Sequence, residues 1–362
     1  MNKHLIFGTG LIGSYLGTVM NQIAQSSDNI GMAKVVWYAR PSWAEKLTNG
    51  VRITDFNQNE IANAKPSVIT QLAGLTDEEP IDYVWLTVKC TAVENASKDL
   101  CKIVRPHTVI ICCQNGLDSH MTVKRAFPNN LVLRVMVPFN VVEQGNGHFH
   151  RGSEGTLTIE TSAHDRVFRR LLTEPSINNG SDTSILPLAF TEEMTALQWA
   201  KLQLNLGNSV NALANIPVKA MLEDRGYRLI IAAMMSELLT VTRQAGIVLP
   251  NVAAVGPRVI PWVLRLPNVL FKRVANQMLQ IDPHVKTSMW WDLELGRTTE
   301  IDFLNQKVVE YGQQLGVACP VNQAIVSTVK AVEQHPENRP TYSADELTNL
   351  IKSFRPDVKG NV

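Results

Sequence analysis

The sequence predicts an α/β N-terminal domain built on a doubly wound, mostly parallel sheet, followed by an all-α C-terminal domain. Three observations predict it. Short runs rich in Val, Ile, Leu and Tyr alternate with helical stretches through the first half, the pattern of strand–helix–strand units. A glycine-rich loop, Gly8-Thr9-Gly10-Leu11-Ile12-Gly13, follows the first of those runs and opens the first helix. After Leu188 the apolar residues take up helical spacing and β-branched alternation fades. At 362 residues the chain exceeds one ordinary core. The expected division is an N-terminal domain over 1–188, a helical domain over 189–345 and a tail over 346–362.

In chain order, strands are predicted at 4–7, 34–38, 83–88, 108–113, 131–137 and 156–161. The clearest intervening helices are 11–24, read as amphipathic, and 92–104. Residues 139–161 read as a hairpin, with Gly145 and Gly147 supplying the turn. A linker is expected at 178–187. The second half reads as helices at 192–214, 219–245, 257–278, 300–315 and 322–332, with a short last helix at 344–353. Thr191 is the expected N-cap of the first of these, with Glu192 and Glu193 in its first turn.

Composition narrows the function classes. The 34 basic and 33 acidic residues nearly cancel, so there is no electrostatic reason to expect nucleic acid or an anionic membrane. No apolar run reaches the roughly 18–20 residues that span a bilayer, and the N-terminus lacks a secretory cleavage pattern. The five cysteines show no C-x-x-C spacing and read as buried thiols in a reducing cytoplasm. The eight histidines form no zinc-enzyme motif, so no metal is expected. His148 and His150 read as surface residues of a strand.

The glycine loop carries chemistry because of its context. In a strand–loop–helix unit Gly8 permits a tight turn, Gly10 leaves room for a pyrophosphate, and Gly13 lets helix and strand pack closely. The helix N-terminus then faces the phosphates. This is the dinucleotide fingerprint of a Rossmann domain. The second strand ends in Arg40 rather than the acid that would accept hydrogen bonds from the ribose of NAD. A guanidinium suits a 2′-phosphate, so NADP(H) is the expected cofactor.

On the first helix of the second half, Lys201, Asn205 and Asn208 fall within roughly 60° of one another at helical spacing. Leu202, Leu204, Leu206 and Val210 surround them. Such polar groups in an apolar helix need partners, which a substrate carboxylate or carbonyl would supply. A solvated helix face is the other reading.

Taken together these residues resemble the ketopantoate reductase (2-dehydropantoate 2-reductase) family over nearly the whole chain. The matching pieces are Gly8–Gly13, Arg40, Thr87-Val88-Lys89, Gln114-Asn115-Gly116, Lys201 with Asn205, and Ser288 followed by Thr299-Glu300-Ile301-Asp302. The resemblance implies reduction of ketopantoate by NADPH in the pantothenate pathway, with Lys201 as general acid and Glu300 as an active-site glutamate touching cofactor and substrate. It implies substrate contacts from Asn205 and Ser288, a place for Asn115 between nicotinamide and substrate, and a cofactor-side role for Lys89. The sequence departs from the family pattern where Asn208 follows Asn205 by three residues instead of four, with Ser209 in the expected place. Val218 stands where some members have asparagine, and the 21–33 loop and the tail are longer than usual. These departures keep open another 2-oxo acid, a β-hydroxy acid dehydrogenase on the same architecture, or a non-catalytic NADPH sensor. Trp262, Trp290 and Trp291 read as exposed aromatics compatible with a homodimer.

Overall fold

The computed structural model describes residues 1–26, 31, 33–47, 49–75, 80–173, 186–253, 255–275 and 285–354. The predicted linker lies almost wholly outside them, as do parts of the 21–33 loop and the tail. The chain divides into two compact units, Met1–Met194 and Thr195–Val362.

The first unit runs β1 (Asn2–Phe7), α1 (Leu11–Gln25), β2 (Ala33–Tyr38), α2 (Pro41–Leu47), β3 (Val51–Thr54), β4 (Glu60–Ala64), β5 (Ser67–Ile69) and β6 (Tyr83–Leu86). It continues through α3 (Val93–Leu100), β7 (Val109–Cys112), α4 (Ser119–Ala126), β8 (Val132–Met136), β9 (Val141–Glu143), β10 (His148–Arg151), β11 (Leu157–Glu160), α5 (Asp165–Leu172) and β12 (Leu188–Thr191). The main sheet has the order β12-β11-β8-β7-β6-β1-β2-β5. From β5 to β8 all pairs are parallel, and β11 joins β8 antiparallel. The order of strand addition reverses beside β1, with β2 and β5 on one side and β6, β7 and β8 on the other. That topological switch point is where open α/β sheets bind ligands.

Alternation along the strands builds a core on each face. In β1, Ile6 joins one cluster while Leu5 and Phe7 join the other; in β6, Tyr83 and Trp85 oppose Val84 and Leu86. The expected amphipathic character of α1 is corrected here: it is buried on nearly every side from Gly13 to Met20. The cause is a second, four-stranded sheet of order β4-β3-β10-β9, against which α1 also packs. The expected hairpin is β9–β10, antiparallel, with Gly145 and Gly147 at positive φ. Its partner hairpin β3–β4, and the pairing of β10 with β3, were not anticipated.

That pairing also corrects the reading of the two histidines. His150 is buried and His148 half-buried, because Thr54 Oγ1 lies between them, 2.9 Å from His150 Nδ1 and 3.0 Å from His148 Nε2.

The second unit's described residues carry helices and no strand: α6 (Met194–Asn205), α7 (Gly207–Ala214), α8 (Val218–Glu223), α9 (Arg225–Gln244), α10 (Ile260–Arg265), α11 (Asn268–Val274), α12 (Ser288–Glu294), α13 (Asn305–Gln314), α14 (Pro320–Gln334) and α15 (Ala344–Phe354). Several expected single helices are broken, each for a local reason. Asp224 adopts an extended conformation and accepts from Gly226 N at 2.6 Å, ending α8 and capping α9. Buried Arg228 takes the carbonyls of Leu264 and Leu266, which together with Pro267 separates α10 from α11. Glu237, midway along α9, accepts from the backbone N–H groups of Val321 and Asn322 and so caps α14 from another helix. Thr191 is the last residue of β12 instead of a helix cap; its hydroxyl accepts from Glu193 N, and no acid enters the first turn of α6. Trp290 is buried, its indole donating to Asn215 Oδ1 at 2.7 Å, whereas Trp262 and Trp291 are exposed. No helix among the described residues is long and apolar enough to cross a membrane.

Candidate active site

Parallel strands end at one edge, and the first unit therefore gathers Gly8–Gly13, Arg40, Lys89 and Asn115 at the C-terminal ends of β1, β2, β6 and β7. Gly8 sits at φ 105°, a conformation open mainly to glycine. A side chain on Gly13 would collide with the Gly8 carbonyl oxygen and come within 2.6 Å of Thr87 Oγ1, whereas one on Gly10 meets nothing within 4 Å. The loop is thus tight where helix meets strand and open at its tip. No side chain caps α1 and its first turn holds no acid, leaving the positive helix end for an anion. These features fit a dinucleotide pyrophosphate.

Two residues not assigned a role from sequence hold this edge together. Thr87 Oγ1 donates to the Gly8 carbonyl at 2.6 Å, tying the glycine loop to the end of β6. Gln114 is buried and its amide donates to the carbonyls of Leu86 and Val88 at 2.7 and 3.0 Å, setting the neighbouring Asn115 against the loop that carries Lys89. The Cys90 thiol adds a bond to the Asn115 carbonyl at 2.9 Å. Both Thr87 and Gln114 stood within recognised motifs, but their bonds reach other strands. Arg40 is exposed, directly after β2, and its carbonyl accepts from Trp43 and Ala44 to start α2.

The second unit contributes the remaining residues. Lys201 lies in α6 and Asn205 ends that helix. Leu206 keeps helical dihedrals, φ −57° and ψ −32°, but interrupts the run before α7, so the changed asparagine spacing falls on a real irregularity. Ser209 is fully buried, its hydroxyl donating to the Leu206 carbonyl at 2.9 Å; Asn208 is half-buried. Asn211, one further step along and not foreseen, accepts from Thr287 N and Oγ1 at 3.1 and 3.0 Å. Thr287 caps α12, so Asn211 anchors exposed Ser288, the first residue of that helix, beside α7. Glu300 precedes a single 3₁₀ turn, Ile301–Phe303, held by buried Thr299, whose N–H donates to Glu333 and whose hydroxyl accepts from Ile301 N.

Lys201 keeps some exposed surface yet is packed deeply enough that desolvation pulls its ammonium pKa down to about 8, against the opposing pull of the nearby Glu300 carboxylate. The pair gives this unit a readily deprotonated cation beside an anion. Among the described residues no group of three or more His, Cys, Asp or Glu side chains could hold a metal.

Comparison with known proteins assigns the architecture. Two family models match: "Ketopantoate reductase PanE/ApbA" over residues 4–164 and "Ketopantoate reductase PanE/ApbA C terminal" over residues 193–333. The chain belongs to the ketopantoate reductase family. It is accordingly an oxidoreductase. Among its relatives, a 2-dehydropantoate 2-reductase of Mesorhizobium japonicum is 24% identical, the match covering 92% of this chain and 98% of that one. One from Pyrobaculum aerophilum is 25% identical over 64% of this chain and 72% of its own length. Of solved structures, a family member from Ralstonia eutropha JMP134 has a TM-score of 0.72 at 22% identity, covering 93% of this chain and 100% of that one. A D-mandelate dehydrogenase has a TM-score of 0.69 at 18% identity, with the same coverage. The ketopantoate reductase fold therefore also carries oxidoreductases named for a different acid.

Proposed function

We propose that this family member reduces the ketone of ketopantoate to the alcohol of pantoate with NADPH, Lys201 acting as general acid. In this reading residues 1–188 hold the cofactor and residues 189–345 the substrate. Bound NADPH supplies the hydride. The Lys201 ammonium hydrogen-bonds the ketone oxygen, stabilises the charge developing there and gives its proton to the alkoxide. Glu300 raises the ammonium's pKa against the desolvation that lowers it. Asn205, Asn208 and Ser288 bind and orient the oxo acid, and Asn115 positions the reacting carbon. Leu11, Ile12 and the loop glycines offer backbone to the pyrophosphate; Lys89 contacts the cofactor and Arg40 pairs with its 2′-phosphate.

The carrying observation is Lys201: a lysine with a pKa near 8 beside Glu300, one helical turn from Asn205. Ser209 is fully buried with its proton given to the Leu206 carbonyl, whereas Asn208 is half-buried, which favours Asn208 as the second polar contact. The test is NADPH oxidation at saturating cofactor with ketopantoate, compared with a panel of other 2-oxo acids including the oxo acid of mandelate. Preference for ketopantoate is expected. Faster turnover of another acid would reassign the substrate, and no turnover of any would leave a binding protein.

A further inference from the structure

The family match ends at residue 333, but the ordered chain continues beyond it. Between α14 and α15, residues 335–343 form a strap across the C-terminal end of α7. A helix leaves its last carbonyls without partners of its own, and the strap reaches two of them. The Tyr342 N–H donates to the Leu213 carbonyl at 3.0 Å, and Arg339 Nη2 donates to the Ala212 carbonyl at 2.8 Å. Thr341 Oγ1 accepts from the Asn215 amide at 3.4 Å. From α9, the Tyr227 hydroxyl donates to the Tyr342 carbonyl at 2.9 Å and ties the strap to a further helix.

Arg339 also reaches α12. Its Nη1 pairs at 2.6 Å with Oε2 of Glu294, the last residue of that helix, and its guanidinium carbon lies 4.9 Å from the Trp290 ring centroid. Only 9% of the Arg339 side chain is exposed. A guanidinium fork can hold both helices at once, whereas an ammonium is a single point charge. The negative C-terminal ends of the two helices favour a cation there. At their other ends α7 and α12 are joined by the bonds from Thr287 to Asn211, and midway by the bond from Trp290 to Asn215. Asn208 lies in α7 and Ser288 opens α12. The ketone reduction itself uses no residue of the strap.

We infer that Arg339 is a positioning residue. By holding α7 against α12 it sets the spacing of Asn208 and Ser288 and so, on the reading that those two side chains bind substrate, the fit of the oxo acid.

Arg339→Ala removes the fork and leaves the rest of the strap. It should raise KM for the best 2-oxo acid about tenfold, the scale of one lost hydrogen bond. Turnover at saturation and NADPH affinity should stay within about twofold, as when substrate binding alone is weakened. Amide hydrogen exchange on the full chain needs no turnover. The N–H groups of Trp290 and Trp291, bonded to Thr287, should exchange about tenfold faster in this variant, with the amides of α14 unchanged. Tyr227→Phe is the control, because it frees the strap from α9 and keeps the fork. Whatever it does to the thermal midpoint, it should move neither KM nor exchange in α12. Unmoved KM or unmoved α12 exchange in Arg339→Ala, or equal changes in Tyr227→Phe, overturns the proposal. Asn208→Ala and Ser288→Ala separate the two readings. If neither raises KM, the substrate assignment fails and the role of Arg339 with it; if both do and Arg339→Ala does not, only the role of Arg339 fails.

Discussion

Lys201 shows how one residue's surroundings set its chemistry. Removed from the protein it would stay charged far above neutral pH; here desolvation brings its pKa down to about 8. A general acid must hold its proton, so ketone reduction should be fastest below that value and kcat should fall as pH rises through about 8, approaching tenfold per unit beyond it. A flat rate profile to pH 10 (a round upper bound, about the ordinary lysine value) would count against the role. Lys201→Ala should lower kcat by at least ~100-fold while NADPH affinity, measured by fluorescence titration, hardly changes. Arg40 makes a separable prediction. Arg40→Ala should weaken NADPH by about tenfold or more, the scale of a lost charge-assisted pair, with NADH barely affected. Equal losses for both cofactors would show that Arg40 does not read the 2′-phosphate.

Among the elements, the junction of β1, α1 and β6 is the most tightly specified. Gly13 packs against the Gly8 carbonyl and Thr87, so any side chain there forces backbone to move. Gly13→Ala should cost about 1–3 kcal/mol in stability, as overpacking does, and weaken NADPH because the Gly8–Gly10 turn shifts with it. Thermal denaturation with and without NADPH measures both effects; an unchanged midpoint would contradict the packing. Broken helices tell a complementary story. Periodicity located most helical stretches of the second unit, but it missed α12 and did not mark the stops at Asp224 and Pro267. Those stops depend on Arg228 and on an Asp side chain that caps the next helix, and neither alters the spacing of apolar residues. Likewise Thr191 and the two glutamates after it look like a helix start, yet Thr191 is claimed by strand pairing with Glu160.

For the molecule as a whole, the unexpected second sheet matters most. Phe149, almost fully buried, belongs to the same cluster as Tyr15, Ile53 and Trp37, so it joins the second sheet to α1 and through α1 to the main sheet. Phe149→Ala should cost about 3–5 kcal/mol, typical of a large aromatic removed from a core, read as a lower denaturant midpoint. A loss below 1 kcal/mol, the order of a surface change (about ±0.5 kcal/mol), would mean that the two sheets are not packed through it.

The parallel sheet, the glycine loop and the helical second half were legible in the sequence because each rests on local rules: strand alternation, glycine's freedom at positive φ, and helical period. The gathering of Gly8, Arg40, Lys89 and Asn115 at one edge follows from the same rules once the strands are parallel. What could not be read there are relations between distant segments. The pairing of β10 with β3 brings His148 and His150 onto Thr54. The bond from Thr87 to Gly8, the seat of Ser288 set by Asn211, and the lowered pKa of Lys201 beside Glu300 each join residues far apart in the chain. Such contacts depend on which buried polar groups find partners after the chain has packed, and that energy is decided in three dimensions.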